Sequence, residues 1–445
     1  MALGLYAFVL FFEPPFTPMS QIYLTGAVTL GLLFFEYRRG SLDEVMRLAH
    51  LDKTLVAMII ASAYLLTVTL IDLALIETTD VTDNRLRCFN QLFVLTGIQL
   101  AGVLYVLAKA RQFGFSLRDV LMVALIAGAV QGLCVLAAYG MPQIRDMFLH
   151  FADDIYENPW MYERRGFGFS STLLDTFGYG IGVLCAVLLF SPLKSRIANV
   201  GYFALMVLCT FLNSRTGLVV ALVAVCVKLL LPRRGVARAA WAVILLMLFM
   251  AFLEFAPTFV QMGSRSPEVT VRWVSSALND FYLLVTGGAD VTEVQFVDDI
   301  APLPSHLFEF LLGSGHSIYD TSVELGFRSD IGYYNIVWTY GFIGAAFYYG
   351  FMLWLALKAY RGSSSREMKA LAVFLVVAFF VVQLKGNVLG ASPGISVTYY
   401  CLFSILYFNS VDGERIKATR SVSFGGGVSV PIRKSLRRGG AGEFR

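Results

Sequence analysis

The chain has 445 residues, of which 57% are hydrophobic and only 15% are charged. Because a soluble globular domain carries about 25% charged residues, this composition excludes an ordinary soluble domain. Apolar segments near the length that crosses a bilayer recur along nearly the whole sequence, so we predict an all-α, polytopic integral membrane protein.

The predicted spans follow one another along the chain, with loops of very different lengths between them. They lie at residues 20–36, 53–75, 88–109, 119–139, 172–192, 197–212, 217–231, 239–256, 331–358, 368–389 and 394–409. The apolar start at 2–12 is one further candidate, kinked or broken at the prolines that follow Glu13. This gives about eleven or twelve transmembrane helices, each near the ~20 residues that a bilayer requires.

This order of segments divides the chain into six regions. They are N-terminal transmembrane helices at 1–139, a loop at 140–171, central transmembrane helices at 172–256, a large loop at 257–330, C-terminal transmembrane helices at 331–410 and a tail at 411–445. Within the large loop, the apolar spacing over 269–284 predicts an amphipathic helix at the membrane interface. The Gly-, Ser- and Arg-rich tail is predicted to be disordered and close to anionic lipid.

The distribution of charge predicts the orientation of the spans. Basic residues are concentrated at 38–53, 109–118, 194–196, 233–238 and 358–369 and in the tail. These segments alternate with acidic or mixed loops, among them a large loop with ten acidic residues and three arginines, and with the short turn at 213–216. The positive-inside rule therefore places the basic segments in the cytoplasm and the other loops outside.

Arg215 stands out because it lies in an exterior turn between two strongly apolar runs. An arginine near hydrocarbon costs roughly 2.5–3.5 kcal/mol at the centre of a span, so such a residue usually has a function. Three other exterior arginines, Arg165, Arg272 and Arg328, lie next to glycines, aromatic residues or predicted helix starts. Guanidinium groups bind phosphate through paired hydrogen bonds, and helix N-termini add backbone donors, so a diphosphate is the simplest shared ligand. The alternative is that each arginine pairs with an acid of the large loop.

The remaining candidate residues are less specific. Lys385 is a further exterior cation, or a side chain that reaches the headgroups. His316, in a glycine-rich loop, is a candidate base or a hydrated loop residue. The acidic pairs at 153–154 and 298–299 are better explained as solvated acids than as a cation site, and the six cysteines form no metal-type pair. There is no phosphate-binding loop and no dinucleotide fingerprint, so we do not expect an ATP-driven pump. We also expect no metal, no cofactor and no nucleic-acid partner.

Four stretches, taken together in their order, resemble the bacterial O-antigen ligase and polymerase superfamily over roughly residues 160–410. They are Arg165-Gly-Phe-Gly-Phe-Ser-Ser, Asn213-Ser-Arg-Thr-Gly217, Val271-Arg-Trp273, and Leu312-Gly-Ser-Gly-His316 leading to Ser329-Asp-Ile-Gly-Tyr333. The last stretch looks more like the Wzy-type polymerases of exopolysaccharide and capsule pathways than like the ligases.

This resemblance implies a GT-C-like, metal-independent, inverting glycosyltransferase of the bacterial inner membrane, with its active site at the periplasmic face. The implied donor is a growing glycan on undecaprenyl diphosphate, and the acceptor is a new lipid-linked repeat unit. The implied partners are these lipid-linked oligosaccharides, membrane lipids, and a chain-length regulator and flippase of the same pathway.

The resemblance also suggests roles for the candidate residues. Arg215 would hold the diphosphate, and His316 or Asp330 would be the base. The residues that would assist, as cations or by stacking on sugars, are Arg165, Arg272, Arg328, Lys385, Trp273 and Tyr333. The aromatic residues also fit an interfacial belt. Three alternatives remain: a glycan ligase with the same donor, a transporter of lipid-linked oligosaccharide, and a non-catalytic scaffold.

Overall fold

A computed structural model describes most of the chain. The described residues are 2–14, 21–51, 53–75, 90, 96–150, 168–170, 174–213, 215–230, 235–264, 303–315, 331–384 and 394–408, with Arg272, Ser275, Asn279 and Tyr282. Among these residues the structure is helical and contains no β-strand. The predicted amphipathic helix is described only at those last four positions, all of them helical, with Ser275 buried and Arg272 exposed.

The helices are numbered here in chain order. They are α1 (Ala2–Phe12), α2 (Gln21–Arg38), α3 (Asp43–Leu51), α4 (Thr54–Leu75), α5 (Thr96–Gln112), α6 (Leu117–Gly140), α7 (Pro142–His150), α8 (Leu174–Phe190), α9 (Arg196–Asn213), α10 (Arg215–Leu230), α11 (Val236–Ser264), α12 (Leu307–Leu312), α13 (Gly332–Gly362), α14 (Arg366–Val382) and α15 (Gly394–Phe408). By length and composition, α6, α9 and α13 are long and apolar enough to cross a membrane. With the overall composition, this indicates an all-α membrane protein.

One end of the bundle is defined by helix caps and ion pairs, and we call it the Lys109 end. The Lys109 ammonium contacts the Glu36 carboxylate, which joins α5 to α2. At the same end Ser116 and Asp119 form a reciprocal capping box that starts α6, with Ser116 N donating to Asp119 Oδ2 over 2.9 Å. Ser365 caps the start of α14. These polar contacts satisfy backbone groups that have no partner within the first helical turn.

The helix α8 lies at the centre of the bundle. It contacts α6, α9, α10 and α14, and it is apolar on all sides, as expected for a helix surrounded by others. Its glycines allow close approach: a Cβ atom at Gly182 would lie 2.6 Å from Cγ1 of Val220 on α10. On another side, the ring of Tyr179 packs on Gly394 of α15, and its hydroxyl hydrogen-bonds to Thr398 over 2.8 Å.

The predicted span over 331–358 corresponds to α13, and the structure adds a break at Gly341 inside it. That glycine has φ +72°, a left-handed conformation that other residues rarely adopt. Carbonyl groups released by the break find new donors: Ser314 N donates to Trp338 O over 2.7 Å, and Tyr64 Oη donates to Tyr340 O over 2.9 Å. The break therefore also anchors the Gly-Ser-Gly segment that precedes residue 316.

Other element boundaries also differ from the sequence-based expectation. The helix α14 ends at Val382 and a turn follows, whereas the predicted span continued to residue 389. In contrast, α11 continues to Ser264, beyond the predicted end at 256, although it contains Pro257. The short helices α3, α7 and α12 were not predicted, since none of them is long enough to register as an apolar span.

Candidate functional site

The end of the bundle opposite Lys109, which we call the Arg215 end, brings several described helix ends together. Arg118 Nη2 donates to Pro192 O over 2.6 Å, which ties the start of α6 to the segment after α8. Further along these two helices, a Cβ atom at Gly128 of α6 would lie 2.5 Å from Leu184 Cδ1 on α8. The two helices therefore run side by side from the Lys109 end to the Arg215 end.

Lys228, near the end of α10, lies 5.2 Å from the ring centroid of Phe190, the last residue of α8, so these two helices end close to each other. The Arg215 end is formed by the starts of α8, α10, α13 and α15 and by the ends of α1 and α14. We call the region that these helix ends border the recess.

Arg215 is the first residue of α10 and lies at this recess. The sequence predicted a helix start at 217, two residues later. The turn before it is locked against α8, because a Cβ atom at Gly217 would lie 2.7 Å from the Gly178 carbonyl oxygen and 2.5 Å from Cγ2 of Thr210. Asn213, which ends α9, is fully buried. The Arg215 side chain itself lies outside the described residues, but its backbone position is fixed.

Four helix N-termini meet at the recess. The starts of α8 and α10 are joined by the Gly178–Gly217 contact, and α15 begins at Gly394, against Tyr179. The start of α13 is placed by Gly332, whose N–H donates to Gln383 O at the end of α14 over 2.8 Å. Each helix N-terminus carries a partial positive charge, so the recess favours an anion.

A buried carboxyl group lies in the wall of the recess, directly after α1. Glu13 is only 4% exposed, has φ +46°, and accepts a hydrogen bond from Gln99 Nε2 over 3.3 Å. Burial raises the pKa of Glu13 to about 7, and the hydrogen bond from Gln99 opposes part of that rise. In the sequence, Glu13 marks only the end of an apolar segment. Its position between an apolar helix and two prolines is the one feature that could have indicated a special role.

The segment 168–170, at the end of the Arg165 stretch, enters the bundle beside Glu13. Ser170 Oγ donates to the Phe12 carbonyl over 2.8 Å, and the Phe12 ring lies 6.1 Å from that of Phe177 on α8. Gly168 presses against Gln131 on α6, since a Cβ atom there would lie 2.6 Å from Gln131 Nε2. The structure thus brings the end of the Arg165 stretch and the Arg215 turn to opposite sides of the first turns of α8.

Only some of the predicted site residues are described. The Tyr333 hydroxyl donates to Phe380 O over 2.8 Å and its ring packs on Tyr349, so this side chain helps to hold the broken helix; stacking on a sugar stays a prediction. Arg272 is exposed on its helical segment. The positions that lie outside the described residues are Arg165, Trp273, His316, Arg328, Asp330 and Lys385.

Among the described residues, no group of three or more His, Cys, Asp or Glu side chains is placed to hold a metal ion. No protein-family model matches the chain, and neither characterised proteins nor solved structures give a significant match.

Proposed function

We propose that this protein is a Wzy-type polysaccharide polymerase, which joins oligosaccharide repeat units carried on undecaprenyl diphosphate. The observation that carries the proposal is the position of Arg215 at the start of α10, in a recess where three other helices also begin. A guanidinium group and convergent N–H donors suit a diphosphate, which bears its charge on oxygens that accept several hydrogen bonds.

The recess also suits a lipid-linked substrate. The basic segments lie at the Lys109 end, so the positive-inside rule places that end in the cytoplasm and the recess at the periplasmic face of the inner membrane. A diphosphate attached to a polyprenyl chain has its phosphates at the boundary of the hydrocarbon. Arg215 comes two positions after the end of α9, an apolar helix long enough to cross a membrane, so the start of α10 lies near that boundary.

In the proposed reaction, a hydroxyl of the acceptor repeat unit attacks the anomeric carbon of the donor glycan. The bond from that carbon to the diphosphate breaks, and the electron pair leaves with undecaprenyl diphosphate. Arg215 and the helix N-termini stabilise the charge that develops on this leaving group. Arg165, Arg272, Arg328 and Lys385 would add cations, and Trp273 and Tyr333 would contact the sugars. His316 or Asp330 would take the hydroxyl proton, and the reaction uses no metal or cofactor.

The expected substrates and partners are those that the resemblance implies: lipid-linked oligosaccharides, membrane lipids, and a chain-length regulator and flippase of the same pathway. A ligase would share the donor and the GT-C-like arrangement and differ only in the acceptor. The transporter of lipid-linked oligosaccharide has one specific observation in its favour, the break of α13 at Gly341, since discontinuous helices are common at transport sites.

A reconstituted assay separates these functions. Purified protein in liposomes would receive a fluorescent, lipid-linked repeat unit, and products would be resolved by size while quenching from outside reports movement across the bilayer. A polymerase gives a ladder of lipid-linked products. Transfer to a non-lipid-linked acceptor without a ladder would indicate the ligase, and movement without any new glycosidic bond would indicate the transporter.

A further inference from the structure

We infer that Glu13 is the group that accepts the proton of the attacking hydroxyl, and that Gln99 and Gln131 bind other hydroxyls of the acceptor sugar. This inference rests on the proposed function and assigns its acceptor subsite. It places the base at the end of α1, in the described part of the chain, in place of His316 or Asp330.

The first argument is that Glu13 is an unfavourable residue for stability alone. It is 4% exposed, and the described residues offer it no cationic partner, only the Gln99 amide. Its φ of +46° is a left-handed conformation that glycine adopts at the end of a helix at lower cost than glutamate. A buried ionisable group in an unfavourable backbone conformation is typical of a functional position.

The second argument is that two amides near the end of α1 are buried with atoms that lack hydrogen bonds: Gln99, which contacts Glu13, and Gln131, which contacts Gly168. Oε1 of Gln99 and both amide atoms of Gln131 have no partner among the described residues, and both side chains are 0% exposed. Buried amides normally pair, because leaving a buried donor or acceptor unsatisfied is costly. A carboxylate and two amides together present the acceptors and donors that a sugar with several hydroxyl groups requires.

The third argument is the position of Glu13 relative to Arg215. The Phe12 ring contacts Phe177 on α8, and the next residue of α8, Gly178, lies against Gly217, two residues after Arg215. Glu13 and Arg215 therefore both lie beside the first described turns of α8, at the same end of the bundle. In the proposed complex, the leaving group lies on the Arg215 side and the attacking hydroxyl on the Glu13 side.

The proton balance follows from this placement. The acceptor hydroxyl oxygen forms the new bond to the anomeric carbon, and its proton passes to the Glu13 carboxylate. The donor's carbon–oxygen bond breaks, and undecaprenyl diphosphate leaves with the electron pair beside Arg215. Glu13 returns its proton to water before the next cycle. A base is most effective when its pKa lies near the working pH, and the raised pKa of Glu13 meets that condition.

Several other titratable residues lie at the Arg215 end of the helices near Glu13. At the Arg215 end, α6 carries Cys134 and α8 carries Tyr179, a thiol and a phenol that are uncharged near neutral pH. Asp175 lies in the first turn of α8, with a side chain outside the described residues. On α7, Arg145 and Asp146 pair with each other over 3.4 Å. The shift at Glu13 comes from its burial and from Gln99 alone.

The test compares wild type with Glu13→Gln and with a control, Glu36→Gln. Glu36 is also buried, but it lies at the Lys109 end and pairs with Lys109. With a lipid-linked repeat unit as substrate, E13Q is expected to slow ladder formation by at least about 100-fold, as loss of a general base does. Binding of undecaprenyl diphosphate should be unchanged in E13Q. Folded E36Q should polymerise like wild type.

A pH profile provides the readout that a structural role would not change. The wild-type rate should rise as pH increases through about 7 and Glu13 ionises, whereas the residual rate of E13Q should lack that rise. If E13Q does not unfold cooperatively, the variant Glu13→Asp is used in its place. E13D keeps a carboxylate, so its rate is expected to be lower than that of wild type but still to rise with pH. A ladder from E13Q with wild-type rate and pH profile would overturn the inference and leave the polymerase intact. No ladder from wild type would overturn the proposed function, and the inference with it.

Discussion

The rings of Tyr333 and Tyr349 lie with their centroids 5.4 Å apart, although these residues belong to one helical element. Sixteen positions of straight helix would separate them by about 24 Å. The first turns of α13 therefore fold back along the rest of the helix, and the bend is at Gly341. This fold-back carries the start of α13 to Gln383 and so completes the recess around Arg215.

Replacing Gly341 should damage this fold-back. In Gly341→Ala the new Cβ atom would lie 2.2 Å from Leu311 O, and a left-handed alanine costs about 1–2 kcal/mol before any clash. We expect a clear fall in the midpoint of thermal unfolding in detergent. The control is Gly350→Ala in the same helix, where nothing lies within 4 Å, so the variant should be as stable as wild type or slightly more. Equal stability of the two variants would argue against the bend.

Gly217 should be required for activity because it seats the Arg215 turn on α8. Gly217→Ala would bring a methyl group within 2.7 Å of Gly178 O, which must push α10 and α8 apart. A displacement of about 1 Å in a catalytic group can cost roughly 100-fold in rate, so we expect strong loss of polymerisation in a protein that still folds. Gly201→Ala on α9, in open space, is the matched control. Activity of G217A equal to that of G201A would show that the close approach is dispensable.

The Lys109–Glu36 ion pair should stabilise the fold without affecting the reaction. Both side chains are largely buried, 16% and 4% exposed, so removing only Lys109 leaves a poorly solvated carboxylate. Lys109→Met should therefore lower the free energy of unfolding by about 1–3 kcal/mol, between the values for exposed and buried pairs. In a double-mutant cycle, K109M combined with Glu36→Met should recover much of that loss. Strict additivity would mean that the pair contributes no coupling energy.

Glu13 should make stability depend on pH in a defined direction. Its folded-state pKa of about 7 lies above the ordinary value of a glutamate, so the folded protein holds the proton more tightly than the unfolded chain. The stability from the protonated form is fully present below about pH 4.3 and is lost as pH rises to about 7, in total about 2–4 kcal/mol. E13Q has no carboxyl group to ionise, so it does not lose this stability as pH rises. The midpoint of thermal unfolding of E13Q relative to that of wild type should therefore be higher at pH 8 than at pH 5. Parallel pH curves for the two proteins would contradict the burial of this carboxyl.

The sequence predicts the helical segments well because hydropathy is a property of each segment by itself. The start of α13 and the entry of residues 168–170 are different, because both depend on contacts between distant parts of the chain. Gly341 has its positive φ where its backbone passes close to that of Gly313, a contact between two segments that the sequence does not reveal. Glu13 lies in no recognisable sequence motif. Its hydrogen-bond partner, Gln99, lies 86 positions later in the chain.

Arg215 is the candidate whose environment the sequence predicted best. Its place between two apolar runs predicted a boundary position next to a helix start, and the structure puts it at the first residue of α10. The recess was not predicted, because it depends on contacts between helices that are far apart in the chain, such as Gly178 with Gly217 and Gly332 with Gln383. The roles of Arg165, His316, Arg328, Asp330 and Lys385 stay predictions.

The assignment of the diphosphate site to Arg215 is tested most directly by a gel of lipid-linked products, made by purified protein from undecaprenyl-diphosphate-linked repeat units. Wild type is compared with Arg215→Ala and with a control, Arg145→Ala, in which the half-buried Arg145 of α7 is replaced. We expect a ladder from wild type and from R145A. We expect no ladder from R215A, although R215A should unfold at a temperature similar to that of wild type. A ladder of wild-type intensity from R215A would contradict the assignment of the diphosphate site to this recess.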